Sequence, residues 1–462
     1  MKTLLFYASF CICLLGLTAC SQKTSFMEQD HLQAEGNYNE AILHAKKKID
    51  KHDKSARDNL LWELYLGQSY FFSEAYGSSI SIFDEAEGLM KYHRERLLSI
   101  EYAKDVGALL SNDNIRPYMG NEYDGIMINT YKALAYLNQK EYASARVEFN
   151  RAIDRQRRAK EFFAELISKE KELLAKEQQN QNISSNLSEE VQSERYQSIL
   201  HRNYPELSSY RLYPAFVNPM TNYLAALFAL ANGERAKAEF LLKESAAMLG
   251  ENTAVQEDFE ALQKEESRPT IWLVYEEGLA PVLEEMRIDF PVWIFTNQLN
   301  YVSLALPRMQ ERSDAFEKLL ISHDGKQIAQ TQMLSSMERV MQTEFTKRYS
   351  SIMERALYSA LVKSMMQYRA GDSGNNLLAF SATLYTLLST QADTRIWSSL
   401  PKNFHLARFE NKGYERVDIH LPSGDKISSI KLLPVKYMLI YVKIPTLAHL
   451  PKISIFSLGE TQ

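Results

Sequence analysis

The stretch NTYKALAYLNQKEYASARVEFNRA, Asn129 to Ala152, reads as two helices joined by a tight turn. The first carries Ala133, Leu134, Tyr136 and Leu137. The turn is Gln139-Lys140-Glu141, and the second helix carries Tyr142, Ala145, Phe149 and Ala152. Apolar and small residues three and four apart share one face of each helix. The small side chains Ala133, Ala145 and Ala152 let the two backbones approach, and Tyr136, Tyr142 and Phe149 fill the space between them.

The same offsets recur upstream. Leu66-Gly67 is followed by Tyr70, Tyr76, Ser79, Phe83 and Ala86, so Tyr70 matches Tyr136, Tyr76 matches Tyr142, Phe83 matches Phe149 and Ala86 matches Ala152. This is the small-against-aromatic code of a tetratricopeptide repeat, a helix pair of about 34 residues. Two looser units flank it. His31 to Asp50 has its turn at Gly36-Asn37, with Tyr38, Ala41 and Ala45 facing inward, and follows a short tether over 21–31. Asn222 to Ala246 turns at Asn232-Gly233. Tyr92 to Ser111 reads as a separate helix, ended by Asn112-Asp113-Asn114. A helical stripe continues past Ala152 to Leu174, and the polar run Gln178 to Ser188 reads as a mobile connection. Residues 20–265 are therefore expected to form an all-α, tetratricopeptide-like superhelix, curved and irregular in its repeats.

The pattern changes at Arg268-Pro269. Thr270 to Tyr275, TIWLVY, is β-branched and aromatic, the composition of a strand. Further strands are predicted at Arg287 to Phe290, Tyr301 to Leu306, Phe316 to Ser322, Phe404 to Phe409, Tyr414 to Leu421, Ile427 to Leu433 and Tyr437 to Ile444, with a hairpin turn at Asp324-Gly325. Helices are predicted over Met333 to Gln367 and Asn376 to Leu388. The fold class is thus α+β multidomain, with residues 268–462 forming an α+β domain around a mostly antiparallel sheet.

The chain begins with an address. Lys2, the apolar run Leu4 to Leu17 and then Leu17-Thr18-Ala19-Cys20 resemble a bacterial lipoprotein signal, with residues 1–19 removed and Cys20 acylated by palmitate-type chains. One acyl chain anchors marginally, at roughly 0.8 kcal/mol per buried methylene, and several anchor firmly. The remaining cysteines, Cys11 and Cys13, lie within the removed segment, so the mature chain has no disulfide and no thiolate metal cluster. Ser21 after the anchor implies the outer membrane, on its periplasmic side, in a proteobacterial host. The net charge of -5 supplies no basic field for nucleic acid.

Signals for chemistry are sparse. The nine histidines show no His-Glu-x-x-His spacing, and no phosphate-binding glycine loop occurs, so no metal, cofactor or catalytic residue is expected. Gly371-Asp372-Ser373-Gly374 imitates a protease nucleophile stretch but sits between predicted helices. Glu276, Glu277, Glu284 and Glu285 flank the Gly278–Pro281 loop, a place where paired carboxylates would serve glycoside hydrolysis. Arg395 and Trp397, beside Asp393, form a second candidate. Glu277, Gly278, Pro281, Arg395 and Trp397 are therefore the candidate interaction residues. Tyr65, Tyr92, Tyr118 and Tyr123 are candidate aromatic contacts. Arg151, Arg155, Arg157 and Arg158 read as cations compensating a helix end.

Cys20, Met127 to Leu134 (MINTYKAL), Tyr275 to Pro281 (YEEGLAP) and Ala392 to Pro401 (ADTRIWSSLP) together resemble a family of bacterial tetratricopeptide-repeat-like lipoproteins. The resemblance implies a cell-envelope lipoprotein and transfers no catalytic residue. The expected function is a protein-interaction scaffold, its concave helical face receiving a peptide or helix of another envelope protein. The alternative is a peptidoglycan-directed hydrolase or carbohydrate-binding module after residue 268.

Overall fold

The computed structural model describes residues 24–98, 116–180, 189, 191–214, 216–249, 252–291, 301–372, 391–449 and 451–459. Cys20, residues 181–188 of the polar run Gln178 to Ser188, the helix expected over Asn376 to Leu388, and Ser373-Gly374 lie outside the described residues, while residues 178–180 of that run are helical. The order begins with α1 (24–34), α2 (Tyr38–Lys48), α3 (Asn59–Phe72), α4 (Tyr76–Leu98), α5 (Glu122–Asn138), α6 (Tyr142–Asn180) and α7 (Glu194–Asn203). After a short 3-10 turn come α8 (Pro219–Ala231), α9 (Arg235–Leu249) and α10 (Thr253–Gln263).

These helices pair in sequence, α1 with α2, α3 with α4, α5 with α6 and α8 with α9. Gly36 at φ +64° and Gly233 at φ +76° make two of the turns. Asn218 caps α8 by accepting from the Met220 N–H at 3.2 Å, with Pro219 in the first turn where its missing donor is harmless. The seam is buried at Phe83, Ala86, Ala133, Ala145, Phe149 and Ala152, and nearly so at Tyr76, while Tyr70, Tyr136 and Tyr142 are only partly buried. Gly67 shows why one position must be small. A Cβ there would come within 2.6 Å of the Phe83 ring. Gly67→Ala is therefore expected to destabilise the chain by about 1–3 kcal/mol through overpacking, read as a lower urea midpoint.

Two local expectations are corrected. Helix α4 runs unbroken to Leu98, because Met90 and Leu97 keep its buried face going, so Tyr92 to Leu98 belong to it rather than to a separate helix, and residues 99–111 of that expected helix lie outside the described residues. The residues 24–34 are helical rather than a tether, since Phe26 stacks on Trp62 of α3 at 4.3 Å.

The second part contains β1 (Thr270–Glu277), β2 (Val282–Pro291), β3 (Tyr301–Gln310), β4 (Leu320–His323), β5 (Lys326–Gln330) and β6 (Gln332–Ser336). These are followed by α11 (Met337–Asp372), β7 (Asn403–Glu410), β8 (Arg416–His420), β9 (Lys426–Lys431), β10 (Tyr437–Ile444) and β11 (Lys452–Ser457). A five-stranded sheet has the order β11-β10-β1-β7-β6, a four-stranded sheet the order β5-β4-β8-β9, and β2-β3 form a ribbon. The pairings are antiparallel except β1 with β10. The helix expected from Met333 begins instead at Met337. Met333 and Leu334 continue its apolar stripe in sequence, yet they belong to β6, held by β7.

Strand β1 is buried at every position. With side chains alternating, Trp272, Val274 and Glu276 face the helices, while Ile271, Leu273 and Tyr275 face the four-stranded sheet. The result is three layers: helices, five-stranded sheet, four-stranded sheet. One apolar core runs from Tyr38 in α2 through the helix pairs to Tyr441 and Phe456 in the sheet. The change of pattern at residue 268 is thus a change of secondary structure, and the core continues across it.

Candidate functional site

The inner face of α3 and α5 presents Tyr65, Gln68, Phe71, Phe72 and Tyr131. An irregular stretch of the chain itself, residues 391–402, which turns at 398–400, lies against it. Tyr65 donates its hydroxyl to the Ile396 carbonyl at 3.2 Å, and its oxygen lies 2.7 Å from Ser398 Oγ. Gln68 donates to the Ser399 carbonyl at 3.0 Å and to Tyr131 Oη at 3.1 Å. The Gln68 oxygen accepts from Trp397 Nε1 at 3.2 Å and from the Ser399 hydroxyl. All four hydrogen-bonding capacities of that buried amide are used, which fixes its orientation. Ser398 Oγ donates to Asp30 of α1 at 2.6 Å, and Arg312 bridges Asp30 and the Ser398 carbonyl.

Beneath this stretch sits a buried ion pair. Lys443 Nζ lies 2.7 Å from Glu276 Oε2, both side chains fully enclosed. Tyr131 donates to Glu276 Oε1 at 2.8 Å, and Tyr441 donates to the same oxygen. Lys443 also reaches the Ser399 carbonyl at 3.3 Å and the Phe72 ring at 4.8 Å. Burial pulls the Lys443 ammonium below its usual range, and Glu276 opposes that pull.

The candidate interaction residues meet here. The Gly278–Pro281 loop runs beside 400–402: the Ala280 N–H donates to the Leu400 carbonyl at 2.6 Å, and the Lys402 N–H to the Glu277 carbonyl at 2.9 Å. Gly278 has φ +68°. The Glu277 carboxylate accepts from Asn403 Nδ2 at 2.9 Å and from the Ala315 N–H. Trp397 is fully buried, and Pro281 is buried as well. Arg395 pairs with Asp58 at 2.9 Å and with Asp393 at 2.7 Å, and donates to the Arg116 carbonyl at 2.8 Å. Burial alone would raise the Asp393 carboxyl; the Arg395 guanidinium outweighs it and holds it at about 2. All five residues are thus engaged within the chain, and the two stretches that looked like separate sites form one contact.

The four glutamates do not converge on a cleft. Glu276 is sealed by Lys443, Glu277 is buried, Glu284 is exposed, and Glu285 accepts from Arg287 and from the Ala392 N–H at 2.9 Å. Of the tyrosines, Tyr65, Tyr118 and Tyr123 are core, and Tyr92 is exposed. The arginine cluster is mid-helix, since α6 continues to Asn180, so a helix end is not its reason. Arg155 pairs with Glu87 at 2.6 Å and Arg151 with Glu148 at 2.8 Å. The same two glutamates bind Lys132, at 2.6 and 3.1 Å.

A small pocket of about 90 Å³ lies between the start of α5, the ribbon and α11. Arg116 and Arg355 line it, and both bind the buried Glu170, which also accepts from Ser351 at 2.8 Å. Among the described residues no group of three or more His, Cys, Asp or Glu is placed to hold a metal. His93 and His405 are each buried, and burial lowers both to about 4.

Sequence reasoning missed Gln68 and Lys443. Lys443 carried a signal: one lysine inside YMLIYVKI, two residues from Tyr441 and on its face, demands a buried partner. Compared with known protein families, with curated proteins and with solved structures, the chain finds no match.

Proposed function

We propose that this chain is an outer-membrane lipoprotein that works as a protein-interaction scaffold, built on tetratricopeptide-like helix pairs and hung into the periplasm from acylated Cys20. The observation that carries the reading is the grip of α3 and α5 on residues 391–402. Tyr65 and Gln68 bind main-chain carbonyls of an irregular, turned segment, while Trp397 is sunk against Phe83 and Tyr131. A buried aromatic anchor ringed by satisfied polar contacts is the kind of feature that carries most of the energy of a peptide contact. Here the inner face is filled in cis, which rigidifies the body. A partner therefore meets the outer face, where Val147 and Phe240 are 47% and 50% exposed.

Two measurements test this. Cys20→Ala, or globomycin, is expected to release the protein from the membrane fraction and change its mass. A photo-crosslinking residue at Phe240 or Val147 is expected to trap an envelope protein in living cells, and one at Trp397 to trap none. Unchanged fractionation removes the anchor from the reading, and silence at both outer positions removes the scaffold.

A further inference from the structure

The first helix pair carries a basic surface with exposed apolar side chains. Lys46, Lys47 and Lys48 end α2, and Lys51 and Lys54 follow in the turn to α3; all five are exposed. Among the described residues none of the five forms an ion pair. Lys48 donates to Ser25 Oγ at 2.7 Å, and Lys46 stands 5.1 Å from the Tyr70 ring centre. The two aspartates of the same stretch are turned to the loop itself. Asp50 accepts from the His52 and Asp53 N–H groups at 2.8 and 3.1 Å, and Asp53 from the Ser55 N–H at 2.9 Å. Residues 46–54 thus hold five lysines against two aspartates, in a chain whose net charge is -5. The helix dipole accounts for cations in the last turn of α2, but Lys51 and Lys54 lie beyond it.

Met27 of α1 and Leu43 of α2 are 64% and 60% exposed. Tyr38, Ala41, Ile42 and Ala45 are the buried face of α2, so Leu43 centres its outward face, with Lys46 and Lys47 one turn on. Met27 precedes Glu28, whose carboxylate lies 3.3 Å from His44 Nε2 on α2. Single exposed apolar side chains are ordinary. Set among unpaired lysines, they match a membrane interface, with apolar tips below and ammonium groups at the level of the phosphates.

The distance to Cys20 selects the occupant. The bond from Lys48 to Ser25 ties the basic end of α2 to the first turn of α1. Ser25 is five residues after Cys20, and a chain spans at most about 3.6 Å per residue, so the two lie within about 18 Å. We propose that the α1–α2 corner, through Lys46, Lys47, Lys51 and Lys54 with Met27 and Leu43, docks on an anionic phospholipid surface and orients the anchored protein. The proposal rests on acylation of Cys20 for its location, and it supplies the basic second signal that steadies a lipid anchor.

The test is vesicle sedimentation of the whole mature chain made without acyl groups by Cys20→Ser, so that binding reports the corner and not the anchor. The chain is expected to bind phosphatidylglycerol vesicles, to ignore phosphatidylcholine vesicles, and to be released when salt rises from about 0.05 to about 0.5 M. Each lysine at such a surface strengthens binding about fivefold. Lys46→Gln, Lys47→Gln and Lys51→Gln together are therefore expected to weaken it about a hundredfold, and arginine at the same three positions to preserve it. Met27→Ser with Leu43→Ser is expected to weaken it about tenfold. No binding to anionic vesicles, equal binding to neutral ones, or unchanged affinity in the folded triple glutamine variant overturns the proposal. So does tighter binding of poly-glutamate than of the anionic vesicles, which would assign the lysines to an acidic polypeptide. Fractionation of Cys20→Ala cells separates the two readings: an unchanged fractionation removes the anchor, whereas lost vesicle binding with the anchor intact removes the docking surface alone.

Discussion

Lys443→Met is expected to lower the stability of the chain by about 3–5 kcal/mol, the cost of leaving a buried charge without its partner. The substitution keeps the length of the side chain and its contact with Phe72, so packing changes little. What it removes is the only cation paired with Glu276 among the described residues. The Tyr131 and Tyr441 hydroxyls remain as donors to Glu276 Oε1, but Oε2 loses its partner. Glu276→Gln should cost a similar amount, since Lys443 would then be the unpaired charge. The double variant should lose less than the sum of the two, because it buries no uncompensated charge. Urea midpoints of the three variants decide the matter. Losses that simply add would mean the two groups do not act as a pair.

The position of this pair explains the expected size of the effect. Glu276 is on β1, Lys443 on β10, Tyr131 on α5, and Ser399 in the stretch that fills the groove. A defect there is felt in the helices, the central sheet and the filled groove together, because one apolar core runs through all three.

How much of this was legible follows the range of the contacts. The α3–α4 and α5–α6 seams were readable because Gly67 and Phe83 are sixteen residues apart, Ala133 and Phe149 likewise, and each pair sits in one hairpin. Strand β1 was readable because a strand buried on both faces is apolar without alternation. Strand β6 was not, since Met333 and Leu334 fit a helical stripe and only pairing with β7, some seventy residues later, makes them a strand. Strand β11 was missed for the same reason: it exists by pairing with β10 at the sheet edge. Trp397 and Glu277 stood out in the sequence, but whether a conspicuous side chain faces water or core is decided by distant partners. Tyr65 and Ser398 are 333 residues apart.

Trp397→Ala is expected to cost about 3–5 kcal/mol and to free the stretch it belongs to. The indole ring centre lies 6.0 Å from that of Phe83 and 6.2 Å from that of Tyr131, and Nε1 satisfies Gln68. Truncation removes the ring from a fully buried site and leaves a cavity that the packed helices close only in part. Trp397→Phe keeps most of the apolar area and loses the donor. It should cost only about 1 kcal/mol beyond the smaller ring, because Gln68 Oε1 retains the Ser399 hydroxyl. The alanine variant should be cut by protease within 391–402 under conditions that spare the parent chain. A synthetic peptide spanning those residues should then restore its urea midpoint in a dose-dependent way, since a ligand that binds only the folded state stabilises it by mass action. Rescue by this peptide, and not by a version with alanine in place of the tryptophan, would establish that the inner helical face recognises a peptide segment through one aromatic anchor. An alanine variant that stays protected and melts with the parent would place the grip elsewhere.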